Sequence, residues 1–107
     1  MSKRAAGLRL AFAAALAVAA PAHAAEHQVT IAQMSYGTLP SEAHVGDTIV
    51  WTNRDIVVHT VTTRDGHTDL VLQPQQSVRV PVIRAGAVAI YCRFHPNMQG
   101  RLNFAPR

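Results

Sequence analysis

Residues 88–100 read VAIYCRFHPNMQG, and this stretch joins an apolar segment to a run of metal-binding side chains. The apolar start predicts a strand over residues 88–92. Cys92, His95 and Met98 then place a thiolate, an imidazole and a thioether within seven residues. Two histidines and one cysteine with a weak axial methionine form an electron-transfer copper site, because soft sulfur favours copper(I) and imidazole binds both oxidation states. The spacing therefore predicts three ligands of one copper ion.

The second histidine of such a site must come from another part of the chain, and His59 is the best candidate. It lies in a predicted strand, residues 57–63, which follows a polar loop and can end beside the loop after Cys92. Taken singly, Cys92 would be an inert buried thiol and Met98 would fill the core. Their spacing around His95 favours the ligand interpretation.

The remainder of the chain from residue 25 predicts an all-β domain. Short β-branched runs alternate with turn residues about every 8 to 12 positions, which is typical of a β-sandwich or barrel. Pro81 indicates an edge strand, because proline cannot donate a ladder hydrogen bond. The predicted strands are residues 29–33, 42–45, 48–53, 57–63, 70–72, 77–83, 88–92 and 101–104, with Trp51, Ile90, Leu102 and Phe104 as core candidates.

The first 24 residues have the features of a cleavable secretory signal peptide. Three cations precede an apolar run over residues 10–20, and Ala22 and Ala24 supply small residues at the positions that signal peptidase reads. The run is shorter than the roughly 20 residues that span a bilayer, and a retained membrane anchor is the alternative. We expect cleavage after Ala24, which leaves a mature domain of residues 25–107 in the periplasm.

Removal of the leader changes the charge balance. Seven arginines then face six acidic residues, so the mature net charge is +1 and nucleic-acid binding is not expected. Cys92 is the one cysteine, which excludes an intramolecular disulfide. An exported thiol is prone to oxidation unless it is buried or bound. A metal on Cys92 would protect the thiol and stabilise the fold.

Three segments of the chain resemble the cupredoxins, and within them the amicyanin and plastocyanin group. They are residues 45–55, residues 59–61 and residues 91–100. The two-residue gaps on either side of His95 are similar to the short amicyanin loop. The resemblance implies a Greek-key β-sandwich with copper just below one end, bound by His59, Cys92, His95 and Met98. It also implies that electrons pass through the exposed edge of His95.

Two residues beside His59 depart from the family pattern. Val58 stands where many relatives have proline, and Thr60 stands where many have asparagine. Neither is a ligand, but both lie where hydrogen bonds around the ligands hold the geometry of the metal. The family also implies that Asn53 links the loop before His59 to the ligand loop, residues 91–100, through hydrogen bonds.

The remaining histidines have separate interpretations. Cleavage after Ala24 would place His27 third in the mature chain, where it and the free amine can bind a second copper(II) in a square-planar nitrogen set. A frayed terminus is the alternative. His44 and His67 are expected at the surface.

Two arginines are expected near the copper. Arg54 and Arg93 would favour copper(I), because reduction adds one negative charge at the metal. They would also favour partners with an acidic face, mainly by raising association rates.

The predicted function is transfer of single electrons by a monomeric blue copper protein without enzymatic activity. Four protein ligands leave no open position for a substrate, and no serine–histidine–acid or paired-acid motif is visible. Redox proteins would dock transiently at the His95 end on an apolar ring of Phe94, Pro96 and Leu39, burying less than roughly 1,200 Å². Two alternatives stay open: a copper carrier or scavenger that uses the same four residues, and a metal-free structural module.

Overall fold

The computed structural model describes residues 24–107, so the predicted leader lies outside the described residues except for Ala24. In this part of the chain, eight strands form two sheets. The smaller sheet contains β1 (Glu26–Ile31), β3 (Thr48–Asn53) and β6 (Ser77–Pro81). The larger sheet contains β2 (Ala43–His44), β4 (His59–Thr63), β5 (Asp69–Leu72), β7 (Gly86–Tyr91) and β8 (Gln99–Ala105). Within residues 24–107, no helix has the length and apolarity needed to cross a membrane.

The chain crosses repeatedly between the two sheets. The strand orders are β1-β3-β6 in one sheet and β2-β8-β7-β4-β5 in the other. The β1–β3 and β2–β8 pairs are parallel, and the other pairs are antiparallel. These non-sequential neighbours confirm the predicted all-β Greek-key sandwich.

The predicted strand boundaries are close to the observed ones. Both ends of β3 match, and β6 is an edge strand, as Pro81 indicated. β1 differs most, because it begins at Glu26, three residues before the predicted start. Its polar first half extends along β3, with Glu26 opposite Thr48. Backbone pairing to a neighbouring strand therefore outweighs the weak strand preference of these side chains.

The core lies between the sheets, and in β1 and β8 alternate side chains face it. In β1, Val29 and Ile31 are buried while the residues between and before them are exposed or half-buried. Trp51 packs edge-to-face on Tyr36, with ring centroids 6.1 Å apart. Of the four core candidates, Trp51, Ile90 and Leu102 are fully buried, and Phe104 is half-buried against them.

Strand pairing brings the two halves of the predicted metal site to one end of the larger sheet. β4 begins at His59, and β7 ends one residue before Cys92. The two strands are antiparallel, with Thr62 opposite Tyr91, so the start of β4 lies beside the end of β7. His59 and Cys92 are both fully buried there.

Candidate metal centre

Three of the four predicted ligands meet in one cluster. One donor atom from each of His59, Cys92 and His95 lies within 4.8 Å of the other two. His59 Nδ1 is 3.8 Å from Cys92 Sγ, and His95 Nδ1 is 3.6 Å from the same sulfur. The two imidazole rings are 5.1 Å apart between centroids and inclined at 63°. His59 is 33 positions before Cys92 in the chain. The fold nevertheless brings its nitrogen to the same point as the Cys92 sulfur and the His95 nitrogen.

These separations fit a single metal ion. Imidazole nitrogen and thiolate sulfur bind a late first-row metal at about 2.0 and 2.3 Å. In a trigonal plane, at about 120°, those lengths place nitrogen and sulfur about 3.7 Å apart. The observed values of 3.6 and 3.8 Å lie on either side of that distance. The donor chemistry and the spacing therefore both suit a two-histidine, one-thiolate copper site.

The loop that carries His95 and Met98 is closed by its own backbone. The Cys92 N–H donates to the Met98 carbonyl at 3.1 Å, and the Met98 N–H donates to the His95 carbonyl at 2.8 Å. The His95 N–H donates back to the Cys92 carbonyl at 3.3 Å. Met98 is buried within the core cluster, whereas His95 stays partly exposed. The loop therefore returns Met98 to Cys92 and leaves one edge of His95 towards solvent.

Asp55 orients the His59 ring. His59 Nε2 lies 2.7 Å from Asp55 Oδ2, and a carboxylate can only accept. The proton of the neutral ring is therefore on Nε2, and the Nδ1 lone pair points towards Cys92. A carboxylate behind a histidine ligand fixes the tautomer and raises the basicity of the ligand. Sequence reasoning missed this role, although Asp55 precedes His59 by four residues.

Asp55 is itself held by a strained turn after β1. Its two carboxylate oxygens accept the N–H groups of Gln33 and Met34, at 2.7 and 3.0 Å. Both residues have positive φ, 53° and 61°, which is uncommon for residues other than glycine. Ala32 and Ser35 close this two-residue turn with reciprocal backbone hydrogen bonds. The N–H of Met34 and the other bonds to Asp55 lower the pKa of its carboxyl below the ordinary value.

Thr60, and not Asn53, links β4 to the ligand loop. The Thr60 hydroxyl accepts the Arg93 N–H at 2.9 Å, and the Thr60 N–H points at Cys92 Sγ at 3.4 Å. The Asn53 side chain instead bonds Val57, Leu72 and Asp55, so it orders the loop before His59 and fastens it to β5. The predicted bonds from Asn53 to the ligand loop are wrong for this chain. The departure from the family pattern at Thr60 supplies that link.

The environment of Cys92 favours the thiolate. Burial alone raises the pKa of the thiol, but hydrogen bonds to the sulfur, the first of them from the Thr60 N–H, lower it more. The pKa accordingly falls from 9.0 to about 6. Burial, with a smaller contribution from the Cys92 charge, raises the pKa of nearby Tyr36, whose hydroxyl donates to the Thr60 carbonyl at 2.6 Å. Tyr36 and Cys92 thus both contact the backbone of Thr60, near the start of β4.

The two arginines that were expected near the copper have different surroundings. Arg93 is ion-paired, with Nε 2.8 Å from Asp69 Oδ1, and its guanidinium lies 5.2 Å from the centre of the Phe94 ring. Asp69 offsets much of the positive charge that Arg93 would otherwise present to the metal. Arg54 is exposed and has no ion pair among residues 24–107.

Of the histidines that the structure describes, three lie away from this cluster. The His44 side chain is 42 % exposed, and His67 is an exposed turn residue that accepts a hydrogen bond from Arg84. His27 is neither frayed nor free, because it lies in β1 and its Nε2 is 2.9 Å from Asp47 Oδ2.

Comparison with known proteins identifies the family. A family model described as a cupredoxin-like domain matches residues 7–103, which is most of the chain. The chain belongs to the cupredoxin family. Amicyanin from Paracoccus denitrificans is 32 % identical over 80 residues, a region that covers 69 % of this chain and 61 % of that protein. This cupredoxin therefore spans less than two thirds of the length of its curated relative.

Solved amicyanin structures share the fold of this cupredoxin. One, a reduced amicyanin variant, is 31 % identical with a TM-score of 0.59 and covers 76 % of this chain and 81 % of its own. Another, the Cu(I) form of an amicyanin variant, is 30 % identical with a TM-score of 0.60 and the same coverage. Family membership and the cluster of His59, Cys92 and His95 together confirm the prediction that the cofactor is copper.

Proposed function

We propose that His59, Cys92, His95 and Met98 bind one copper ion and that the protein carries single electrons. The observation that carries the proposal is the meeting of two imidazole nitrogens and one sulfur at distances that fit a trigonal plane. The pKa of about 6 for Cys92 leaves the thiolate available at neutral pH. Copper so bound can alternate between Cu(I) and Cu(II).

Met98 is proposed as the weak axial ligand. Its side chain is 4 % exposed, and its backbone is bonded to both Cys92 and His95. A thioether is a soft donor that suits copper(I), and a long axial bond tunes the potential of such sites. Filling the fourth position with protein leaves no place for a substrate. This arrangement supports a protein that transfers electrons and is not an enzyme.

The framework around the ligands favours electron transfer over copper delivery. Asp55 fixes the ring of His59, Thr60 links β4 to the ligand loop, and three backbone bonds close the loop itself. Ligands held in this way move little when the metal changes its oxidation state. A small rearrangement lowers the barrier to electron transfer, whereas release of copper requires the ligands to separate.

Transient docking is proposed at an apolar rim around His95, formed by Met34, Ile56, Val57, Phe94 and Pro96. Ile56 is 90 % exposed and Phe94 is 48 % exposed, which is high for large apolar side chains. Leu39, which is also expected in this rim, is half-buried and packs against the core. A small apolar surface beside a partly exposed ligand suits weak complexes that bury less than roughly 1,200 Å².

The proposed location is the periplasm, reached by a signal peptide of residues 1–24 that is removed to give a monomeric domain of residues 25–107. The apolar run over residues 10–20 and the small residues Ala22 and Ala24 support export. Redox proteins of the same compartment would be its donors and acceptors.

Copper retention during redox cycling distinguishes an electron carrier from a copper carrier. The copper-loaded protein is reduced and reoxidised repeatedly by voltammetry in the presence of an excess of a copper(I) chelator. We expect a reversible one-electron wave whose amplitude persists over many cycles. Transfer of the copper to the chelator within seconds to minutes would instead show that the protein delivers copper.

A further inference from the structure

A second polar cluster lies at the opposite end of the sandwich from the copper site. Its centre is Asp47, which is 1 % exposed and directly precedes β3. β3 runs six residues from Thr48, next to Asp47, to Asn53, which borders the loop before His59. At the usual rise per residue, the Asp47 cluster and the copper site are therefore about 20 Å apart. Gly46, with φ of 100°, allows the tight turn that aims the carboxylate inwards.

Four groups hydrogen-bond to the Asp47 carboxylate. The backbone N–H of Ala25 donates to Oδ1 at 2.9 Å, and the His44 N–H donates to Oδ2 at 2.9 Å. His27 Nε2 lies 2.9 Å from Oδ2, and the guanidinium of Arg107 contacts Oδ1. Both oxygens of a buried anion are thereby paired, as burial of a charge requires.

The nitrogen of Ala25 is the atom that the predicted cleavage would convert into a free amine. We propose that hydrolysis of the Ala24–Ala25 bond by signal peptidase creates an ammonium group that pairs with Asp47 and stabilises the mature domain. Water breaks the C–N bond, its oxygen completes the new carboxylate of Ala24, and the amine of Ala25 takes up protons to become the ammonium. Asp47 is therefore a built acceptor for the processed N-terminus, a role separate from copper binding.

The charge of the ammonium explains why processing would matter. Before cleavage, Ala25 offers Asp47 one neutral N–H group. After cleavage, the same nitrogen carries a positive charge and three donors, so the attraction between opposite charges is added to the hydrogen bond that Ala25 already makes to the carboxylate. Within residues 24–107, the other cationic or titratable groups that face Asp47 are His27, His44 and Arg107. All three are present before and after cleavage, so the ammonium is the only new charge.

The same contacts bear on a second copper at Ala25-Glu26-His27. Binding copper(II) in a square plane would require the amine and His27 to leave Asp47. It would also open the first rung of the β1–β3 pair, where Glu26 lies opposite Thr48. Docking of the amine on Asp47 therefore predicts that the copper-loaded mature protein takes up no second tight copper(II).

The sequence makes a selective experiment available. Its one lysine is Lys3, so a mature chain beginning at Ala25 has its α-amine as the only primary amine. The full chain is expressed with its leader in a Gram-negative host, and the exported, copper-loaded protein is purified. Its intact mass identifies the first residue. One half is then acetylated at the α-amine, which restores the neutral N–H of the uncleaved chain, and urea unfolding of the two forms is compared at pH 7 and pH 10.

We expect the mass of residues 25–107 and, at pH 7, an unfolding equilibrium constant about tenfold larger for the acetylated form. An ordinary α-amine loses its proton near pH 8, so the stabilising charge is present below that pH and the difference should shrink at pH 10. Processing at another residue, or equal stability of the two forms at pH 7, would overturn the proposal. An unchanged blue absorption band in both forms shows that the copper end is intact.

Asp47→Asn provides a second measurement. A protonated amine does not react with acylating reagents, so Asp47→Asn should acetylate faster than the wild type at pH 7. Asp65→Asn is the matched control, because it removes the same charge from an exposed turn residue and should not change the rate. Equal rates for all three proteins would contradict the pairing. If Asp47→Asn does not fold, the comparison of the acetylated and free wild-type forms still decides the question.

Discussion

Thr60→Val removes the hydroxyl that joins β4 to the ligand loop while it keeps the volume and β-branching of the side chain. The hydroxyl accepts the Arg93 N–H at 2.9 Å and is 2.9 Å from the Thr62 hydroxyl. The Thr62 hydroxyl also donates to Asp69, at 2.8 Å, so it stays hydrogen-bonded when Thr60 is replaced. The Arg93 N–H has no such substitute within the loop.

The expected cost follows from that single orphaned donor. A partly buried donor left without a partner costs about 1–3 kcal/mol, and valine leaves no cavity that would add to this. We therefore expect the free energy of unfolding to fall by about 1–3 kcal/mol. Exchange of the Arg93 amide proton with solvent should also accelerate, because this amide loses its acceptor.

The assay is urea unfolding of the copper-loaded protein, followed by Trp51 fluorescence, with hydrogen exchange as the local readout. Thr30→Val is the matched control, because Thr30 lies in a strand but its side chain is exposed. If Thr60→Val were as stable as Thr30→Val, and if exchange of the Arg93 amide were unchanged, the claimed link between β4 and the ligand loop would be refuted.

Three further predictions concern the metal and its surroundings. Asp55→Asn should weaken copper binding about 10- to 100-fold, measured by chelator competition, because the ring of His59 loses its charged acceptor; unchanged affinity would remove Asp55 from the site. Arg93→Gln should lower the reduction potential and Asp69→Asn should raise it, since each leaves the opposite charge unpaired, and voltammograms that coincide with the wild type would contradict this. Phe94→Ser should slow electron exchange between oxidised and reduced copies, measured by NMR line broadening, whereas Ile83→Ser, which changes an exposed apolar residue at the far end, should not; equal effects would exclude docking at the apolar rim.

Much of the fold is visible in the sequence because β-strands alternate with period two and turns carry distinctive residues. Thr48–Asn53 is a run of β-branched and aromatic residues that follows the turn Gly46-Asp47, and both its ends were predicted correctly. Glu26–Gln28 is polar and becomes a strand only through pairing with β3. That pairing joins residues 22 positions apart, and no local pattern contains it.

For the candidate site, too, local features were predictable from the sequence and contacts between distant residues were not. Cys92, His95 and Met98 lie in one short loop, so their spacing alone suggested a common metal, whereas His59 required the family resemblance. The roles of Asp55 and Thr60 were not predicted, because each depends on a partner from a distant strand or turn. The predicted link from Asn53 to the ligand loop is absent, since the Asn53 side chain bonds to the loop that precedes His59 and to β5.

Titration of the metal-free mature protein with copper(II), followed by visible absorption, tests the copper site most directly. An intense blue band that grows linearly and stops at one copper per chain is expected, since charge transfer from the Cys92 thiolate produces it. Cys92→Ser, which keeps the shape of the residue but removes the sulfur, should bind copper without that band. A wild-type protein that takes up copper(II) without the band, or a Cys92→Ser variant that retains it, would contradict the assignment of Cys92 as a ligand and with it the proposed electron carrier.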